Sequence, residues 1–284
     1  MVVVTASMHG AVSIVNAIAT GRGATLGISL DIEATVEAES GKGIFFDNRE
    51  SNLSARLIRA VIETSVPRQE LEQNKLRISV RTEIPSGYGL KSSSAISSVI
   101  SLACAKLFKP KATDLEILKD GVHASIQSKV SITGAFDDAC ACYFGGFVVT
   151  DNTNIRIIKS EKAPEDLSAV IFIPKSRKRG NVKKLKTLQN VFAQAWELAN
   201  KSDYWNAMIL NGLAASAILD SDPKILADLI ESGALGASVS GNGPSIVAVV
   251  RNDKVPSVKK VFSSLDGAIL VSPVNNKRAE VREV

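Results

Sequence analysis

Apolar and polar residues alternate from Leu26 to Glu39, with Ile28, Leu30, Ile32, Ala34 and Val36 on one side, the mark of a strand with one buried face. Leu76, Ile78 and Val80 repeat that two-residue period and lead into Glu83-Ile84-Pro85. Between these two strands the spacing becomes helical, with Leu53, Leu57, Ile58, Val61 and Ile62 forming one stripe over Ser51–Glu63. A long helix is predicted over Ser92–Phe108, with Ala95, Val99, Leu102, Ala103 and Leu107 on one face. Another helix follows over 113–128, then a strand over Phe147–Thr150. The second half keeps this mixed character. A strand is expected at Ala169–Ile173, helices near 181–199, 203–219 and 223–232, and strands near 235–240 and 245–251. A helix at 255–264 and a strand at 268–272 complete the pattern, and no internal repeat or low-complexity tract interrupts it. Residues 151–167 are the most polar connection, so the chain is expected to divide into two α+β lobes, 1–155 and 156–284.

At 284 residues, 45% hydrophobic and 22% charged, the chain can bury a full core without staples and is not composed like a disordered segment. Its three cysteines, Cys104, Cys140 and Cys142, are odd in number and lack zinc-site spacing, which predicts a reducing, cytoplasmic setting. Residues 1–21 carry no formal charge, yet Thr5, Ser7, His9, Gly10, Ser13 and Asn16 interrupt them, so neither a signal peptide nor a membrane span is expected. Gly233–Val250, with four glycines, Asn242 and Pro244, fails as a span for the same reason.

The net charge of +5 is local. Seven of the twelve residues from Lys175 to Lys186 are basic (Lys175, Arg177, Lys178, Arg179, Lys183, Lys184, Lys186), and the rest of the chain holds 27 basic against 29 acidic residues. This segment reads first as a solvated face and second as an attractor for anions near a site. It has no interleaved aromatics for base stacking, so nucleic acid is not an expected partner, and a nucleic-acid-binding module working through residues 175–186 stands only as the non-enzyme alternative. With only His9 and His123 present, a His-centred triad or multi-His metal site is not expected, and a structural role is expected for His9.

The most informative chemistry lies in Pro85, Ser86, Gly87, Tyr88, Gly89, Leu90, Lys91, Ser92, Ser93, Ser94 and Ala95, between a strand and a long helix. Gly87 and Gly89 permit positive φ and close approach of a ligand. Hydroxyls and unpaired amides then meet the positive end of a helix dipole, an arrangement suited to phosphate, and Lys91 adds a cation. The segment is not a P-loop, since Leu90 stands where Gly must precede the Lys, and Ser92 spoils a Gly-x-Gly-x-x-Gly reading. A plain alternative is a glycine turn followed by a Ser-capped helix.

Two further segments stand out. Gly236-Ala237-Ser238-Val239-Ser240-Gly241-Asn242-Gly243-Pro244-Ser245 is a second glycine-rich turn, which alone could be a hairpin. Thr133-Gly134-Ala135-Phe136-Asp137-Asp138-Ala139 carries adjacent acids ahead of Gly145-Gly146, and those acids could serve catalysis or cap a helix.

These three segments, in this order, resemble the motifs of the GHMP kinases, the superfamily of galactokinase, homoserine kinase and mevalonate kinase. That family's phosphate loop runs Pro-x-Gly-x-Gly-Leu-Gly-Ser-Ser-Ala; here Lys91 replaces the small residue after Leu90 and one extra Ser is present. The resemblance implies a two-lobed α+β fold, with an S5-domain-2-like first lobe and a ferredoxin-like second lobe. It also implies ATP bound by residues 85–95 and Mg²⁺ held through Ser93 or Ser94. In this family the catalytic carboxylate commonly stands seven residues before a Gly-Gly turn, which selects Asp138, with Asp137 as the rival and Lys91 beside them. Mevalonate kinase-like members place a magnesium-binding Glu about eleven residues before that Asp, where this chain has Gln127.

The run from Ser13 to Ala24 (Ser-Ile-Val-Asn-Ala-Ile-Ala-Thr-Gly-Arg-Gly-Ala) is similar to the archaeal-type shikimate kinases of that superfamily, as are 91–94 and 133–138. This resemblance covers essentially the whole chain and implies a small-molecule acceptor, shikimate, phosphorylated at its 3-hydroxyl on the way to chorismate and aromatic amino acids. Asn16, Arg22, Ser240, Gly241, Asn242 and Gly243 are the expected acceptor contacts, with Lys91 and the 175–179 segment as further partners for its carboxylate. Homoserine or mevalonate makes similar demands of a site. A chain that binds nucleotide without turnover is a further alternative, and oligomeric state is not legible in the residues.

Overall fold

The computed structural model describes residues 1–47, 54–178 and 180–283. Leu53, from the expected helical stripe, and Arg179, from the basic segment, lie outside the described residues.

In the first half, β1 (Val2–Val15), β2 (Arg22–Ser40) and β3 (Gly43–Asp47) precede helices α1 (Ala55–Ser65) and α2 (Arg68–Gln73). Strand β4 (Asn74–Thr82) leads to α3 (Ser92–Phe108), α4 (Asp114–Gln127) and α5 (Phe136–Phe144), then β5 (Phe147–Asp151) and β6 (Arg156–Glu161). The second half runs β7 (Leu167–Pro174), a 3₁₀ turn (Val182–Leu188), α6 (Gln189–Asn200), α7 (Tyr204–Ile218), α8 (Pro223–Glu231), β8 (Gly236–Val239), β9 (Ile246–Arg251), α9 (Val255–Phe262), β10 (Gly267–Pro273) and β11 (Glu280–Glu283).

These strands form two sheets. The first has the order β11-β1-β2-β4-β3, with β5 on the opposite end of β2 and β6 beyond it. The 19-residue β2 makes this possible, because its Arg22–Leu26 end pairs with β5 and its Ile32–Ser40 end with β4. All pairs are antiparallel except β3 with β4. The second sheet is the antiparallel β10-β7-β9-β8.

The expected boundary after residue 155 falls between two paired strands of one sheet. Strand β6 pairs with β5, and β11 brings the chain back from the second sheet to β1. Polarity misled here because β6 is a solvent-facing edge strand, with Ile157 and Ile158 both exposed.

Helices α3 and α5 pack on the first sheet with α1 and α4 against α3, while α7 bridges from β1 to β8 of the second sheet and α6 packs between α7 and the first sheet. The main core draws on both sheets, joining Val12, Leu26 and Val36 to Ile171, Val247 and Val249 through Trp196 and Met208. A smaller core, with Phe172 stacked on Phe262, lies under α8 and α9. Helix α3 was expected to bury one face but is buried nearly all round. Its serines pack among the helices, Ser65 bonding to Ser101 and Ser125 to Ser97. Small side chains let it sit between the sheet and its neighbours.

Candidate active site

The cleft begins where β4 ends. Glu83 N donates to Asp31 O, and the chain then turns through Pro85–Leu90 with Gly87 at φ 85° and Gly89 at φ 79°. A Cβ on Gly89 would overlap the carbonyl of Ser240, so the two glycine-rich turns meet backbone to backbone only because residue 89 has no side chain. Ser240 Oγ donates to Gly89 O at 2.9 Å and Ser245 N donates to Tyr88 O at 3.4 Å. Segments over 150 residues apart in sequence thus form one wall.

Helix α3 starts from Lys91, which holds the left-handed conformation at φ 68° and offers no side-chain cap. A Ser-capped helix is therefore not what forms here. The amides of the first turn face the cleft with their dipole uncompensated, and Ser92, Ser93 and Ser94 line it. Helix α5 starts the same way, from left-handed Ala135 (φ 52°), again without a side-chain cap. A non-glycine residue in this region costs about 1–2 kcal/mol, and both instances sit on the cleft.

Asp137 and Asp138 occupy the first turn of α5. They do not cap it. Lys91 Nζ lies 2.9 Å from Asp138 Oδ1 and donates to Ser13 Oγ at 2.6 Å. Both partners of the ion pair are largely buried, 5% exposed for the Lys91 side chain and 13% for Asp138. Asp137 faces inward: Asn152 Nδ2 donates to its Oδ1 at 2.7 Å, and Thr25 Oγ1 donates to its Oδ2 at 3.2 Å. Thr25 Oγ1 also lies 3.3 Å from Asp138 Oδ1. Burial, and then the neighbouring Asp137 carboxylate, push the Asp138 carboxyl up to about 7, against the downward pull of Lys91 and Thr25.

The floor comes from the end of β1. Ser13 Oγ also accepts from Gly241 N at 3.0 Å, and Asn16 Nδ2 donates to Gly241 O at 2.7 Å. Asn16 N donates to Asn211 Oδ1 at 2.8 Å, on α7. The resulting cleft encloses about 240 Å³, and residues 130–133 form its outer rim.

Most predicted site residues gather here. Asn16, Gly87, Gly89, Lys91, Ser92, Ser93, Ser94, Asp137, Asp138, Gly241 and Asn242 all line the cleft. Ser240 supports it from behind through Ser13 N and Gly89 O, and Gly243 N donates to Ser240 O. Leu90 and Ala95 are core residues that hold the loop from beneath, and Pro85, Ser86 and Tyr88 stand outside the lining.

Arg22 is turned away from the cleft. Strand alternation sends Gly23 and Thr25 toward Asp137, so Arg22 points to the other face of β2, where its guanidinium lies 4.9 Å over the Trp196 ring. It does not line the cleft.

Four contributing residues escaped the sequence reading as site residues: Ser13, Thr25, Asn152 and Asn211. Only Asn211 left a signal, a buried amide in the otherwise apolar helix α7 that must find a partner.

Among the described residues no three His, Cys, Asp or Glu side chains are grouped to hold a metal. The donors available are instead hard oxygens: Ser93 and Ser94 line the cleft, and their hydroxyls make no hydrogen bond to other described residues. They suit Mg²⁺, which keeps most of its waters and takes few protein ligands. Gln127 is exposed and stands apart from this lining. The three cysteines are free and buried, and burial pushes the Cys104 thiol up to about 12.

Comparison with known proteins agrees with this geometry. Residues 52–146 match the family described as the GHMP kinases N terminal domain. The shikimate kinase of Methanosarcina mazei is 38% identical over 283 residues, covering 96% of this chain and 95% of that protein. The shikimate kinase of Methanosarcina acetivorans is 36% identical over 281 residues, with coverage of 96% and 95%. Among solved structures, the homoserine kinase of Cytophaga hutchinsonii superposes with a TM-score of 0.73 at 19% identity, over 99% of this chain and 97% of that one. The α+β architecture is shared with these kinases, and the chain belongs to the GHMP kinases, in the family of the archaeal shikimate kinases.

Proposed function

We propose that this chain transfers the γ-phosphoryl group of ATP to the 3-hydroxyl of shikimate, giving 3-phosphoshikimate and ADP. The observation that carries the reading is the buried Lys91–Asp138 pair at the mouth of an uncapped helix whose first turn presents free serine hydroxyls. The names and near-complete coverage of the archaeal relatives support shikimate over the other acceptors of the superfamily.

In this reading the amides of Ser92–Ser94 and the turn at Gly87–Gly89 bind the triphosphate. Lys91 offsets the charge that develops as the β–γ bond breaks. Asp138 takes the proton from the acceptor hydroxyl as its oxygen bonds to the γ-phosphorus, and the bridging oxygen departs with ADP. A carboxylate with its affinity for protons raised toward neutrality is a better base than an ordinary Asp, and such assistance is worth about 10²–10⁴-fold. Asp137 does not touch the acceptor; it holds the start of α5 through Asn152 and Thr25. Asn16 and Asn242 contact the acceptor from the β1 side. Magnesium, held by Ser93 or Ser94, supplies charge neutralisation of the phosphates when bound.

The buried, free cysteines fit a reducing cytoplasm. In the basic segment Lys175 pairs with Asp266, Arg177 lies on Tyr88 and Leu185 is buried, which fits a structural and anion-steering role and not a nucleic-acid surface. Coupled ADP-release assays with shikimate, homoserine and mevalonate test the proposal. Turnover is expected with shikimate; turnover with homoserine or mevalonate alone would reassign the acceptor.

A further inference from the structure

Arg177 leaves the end of β7 and crosses to the phosphate loop. Its guanidinium carbon lies 5.0 Å over the Tyr88 ring, and its Nη1 is within 3.8 Å of where a Cβ on Gly87 would stand. Gly87 lines the cleft. Neighbouring Lys175 is paired with Asp266 at 2.6 Å, whereas Arg177 has no ion-pair partner among the described residues. A guanidinium placed over an aromatic ring is drawn to its face and keeps N–H donors available for a ligand. The second lobe therefore reaches this loop twice, through the 240–245 turn and through an unpaired cation.

We propose that Arg177 is a nucleotide-binding residue that brings its forked donors from the second lobe onto the phosphates of the bound nucleotide, with Tyr88 as its platform. The chemistry matches, since two parallel N–H groups meet two oxygens of one phosphate. It also gives a reason for an aromatic residue between two glycines: Tyr88 supplies the stacking surface, and the bare backbone of Gly87 leaves the path to the cleft open. The proposal rests on the kinase reading above and adds to it a residue that lies outside the glycine-rich motifs.

Calorimetric titration of the full chain with ADP, alongside steady-state kinetics, tests it with Arg177→Ala, Arg177→Lys, Tyr88→Phe and Tyr88→Ala. Arg177→Ala should weaken ADP binding and raise the KM for ATP by about tenfold, with kcat and the acceptor KM within about twofold of the parent. Arg177→Lys should recover part of the loss, Tyr88→Phe should behave as the parent, and Tyr88→Ala should fall between. Melting temperatures control for folding, which an exposed arginine should not disturb. Unchanged ADP affinity in Arg177→Ala, or a loss confined to the acceptor KM, overturns the proposal while leaving the kinase reading intact. A parent chain that binds no ADP overturns both.

Discussion

Lys91 and Asp138 form the central contact of the cleft, ammonium to carboxylate at 2.9 Å, with Ser13 as the third member. Each partner lies at the start of a helix entered through a left-handed residue, so two strained helix starts converge on one ion pair. Strain held at such a point is tolerated where the surrounding structure enforces it, and here β1, β2 and the 240–245 turn do so.

The two acids should separate by experiment. Asp138→Asn should lower kcat by about 10²–10⁴-fold while leaving the ATP dissociation constant within about twofold. Asp137→Asn should instead lower stability by about 1–3 kcal/mol, because Asn offers one acceptor where Asn152 and Thr25 use two, and sets an NH2 against the other donor. Rapid-quench kinetics and denaturant melts on both variants check this. A catalytic loss concentrated in Asp137→Asn would exchange the roles.

Activity should fall on the acid side of neutrality. Proton uptake at Asp138 removes the base, and its carboxyl is raised to about 7, so kcat/KM should rise with pH through a midpoint near that value. Lys91 pulls this carboxyl down, so Lys91→Met should move the midpoint to higher pH as well as lower the rate. A flat profile between pH 6 and 8 would exclude Asp138 as the titrating group.

Gly23→Ala should damage the site without removing any polar group. An added methyl at position 23 would overlap the Asp137 carboxylate and its β-carbon, both held between β2 and α5. Overpacking of this kind costs about 1–3 kcal/mol, and the shift of α5 should reduce kcat as well. A crystal structure and a melting curve of the variant check both effects.

Asn16 and Asn211 should act independently although a hydrogen bond joins them. The Asn16 side chain holds Gly241 O, whereas the Asn16 backbone N–H donates to Asn211 Oδ1 and survives replacement of its side chain. Alanine at either position should cost about 1–3 kcal/mol, and the double variant should cost the sum to within about 0.5 kcal/mol. Urea melts of the four proteins check the additivity.

The elements with a clean local signature were legible in the residues. Helix α3 runs over Ser92–Phe108 as its spacing predicts, and β4, α4 and β9 lie within a residue or so of expectation. Strand β1 was not legible as a strand. Its first half alternates but Ala11–Val15 is buried on both faces, so the period vanishes where the strand enters the cleft. The site was legible as far as its loops were, since glycines and hydroxyls mark backbone that binds anions. What stayed hidden are the partners of Lys91 and of the acids, Ser13, Thr25 and Asn152, which come from three strands or turns and form no pattern along the chain. Arg22 was misjudged for a related reason: its neighbourhood in sequence is the site, but the pleat turns it away.

Because a single core runs through both sheets and the chain passes between them twice, the halves should not behave as separable bodies. Heating should melt the protein in one cooperative step, and nucleotide bound in the cleft should raise that one transition for the whole chain. A fragment ending near residue 155 would lose β6 and β11 together with α6, laying bare the apolar wall beneath Trp196, and should precipitate instead of persisting as a miniature of the first lobe.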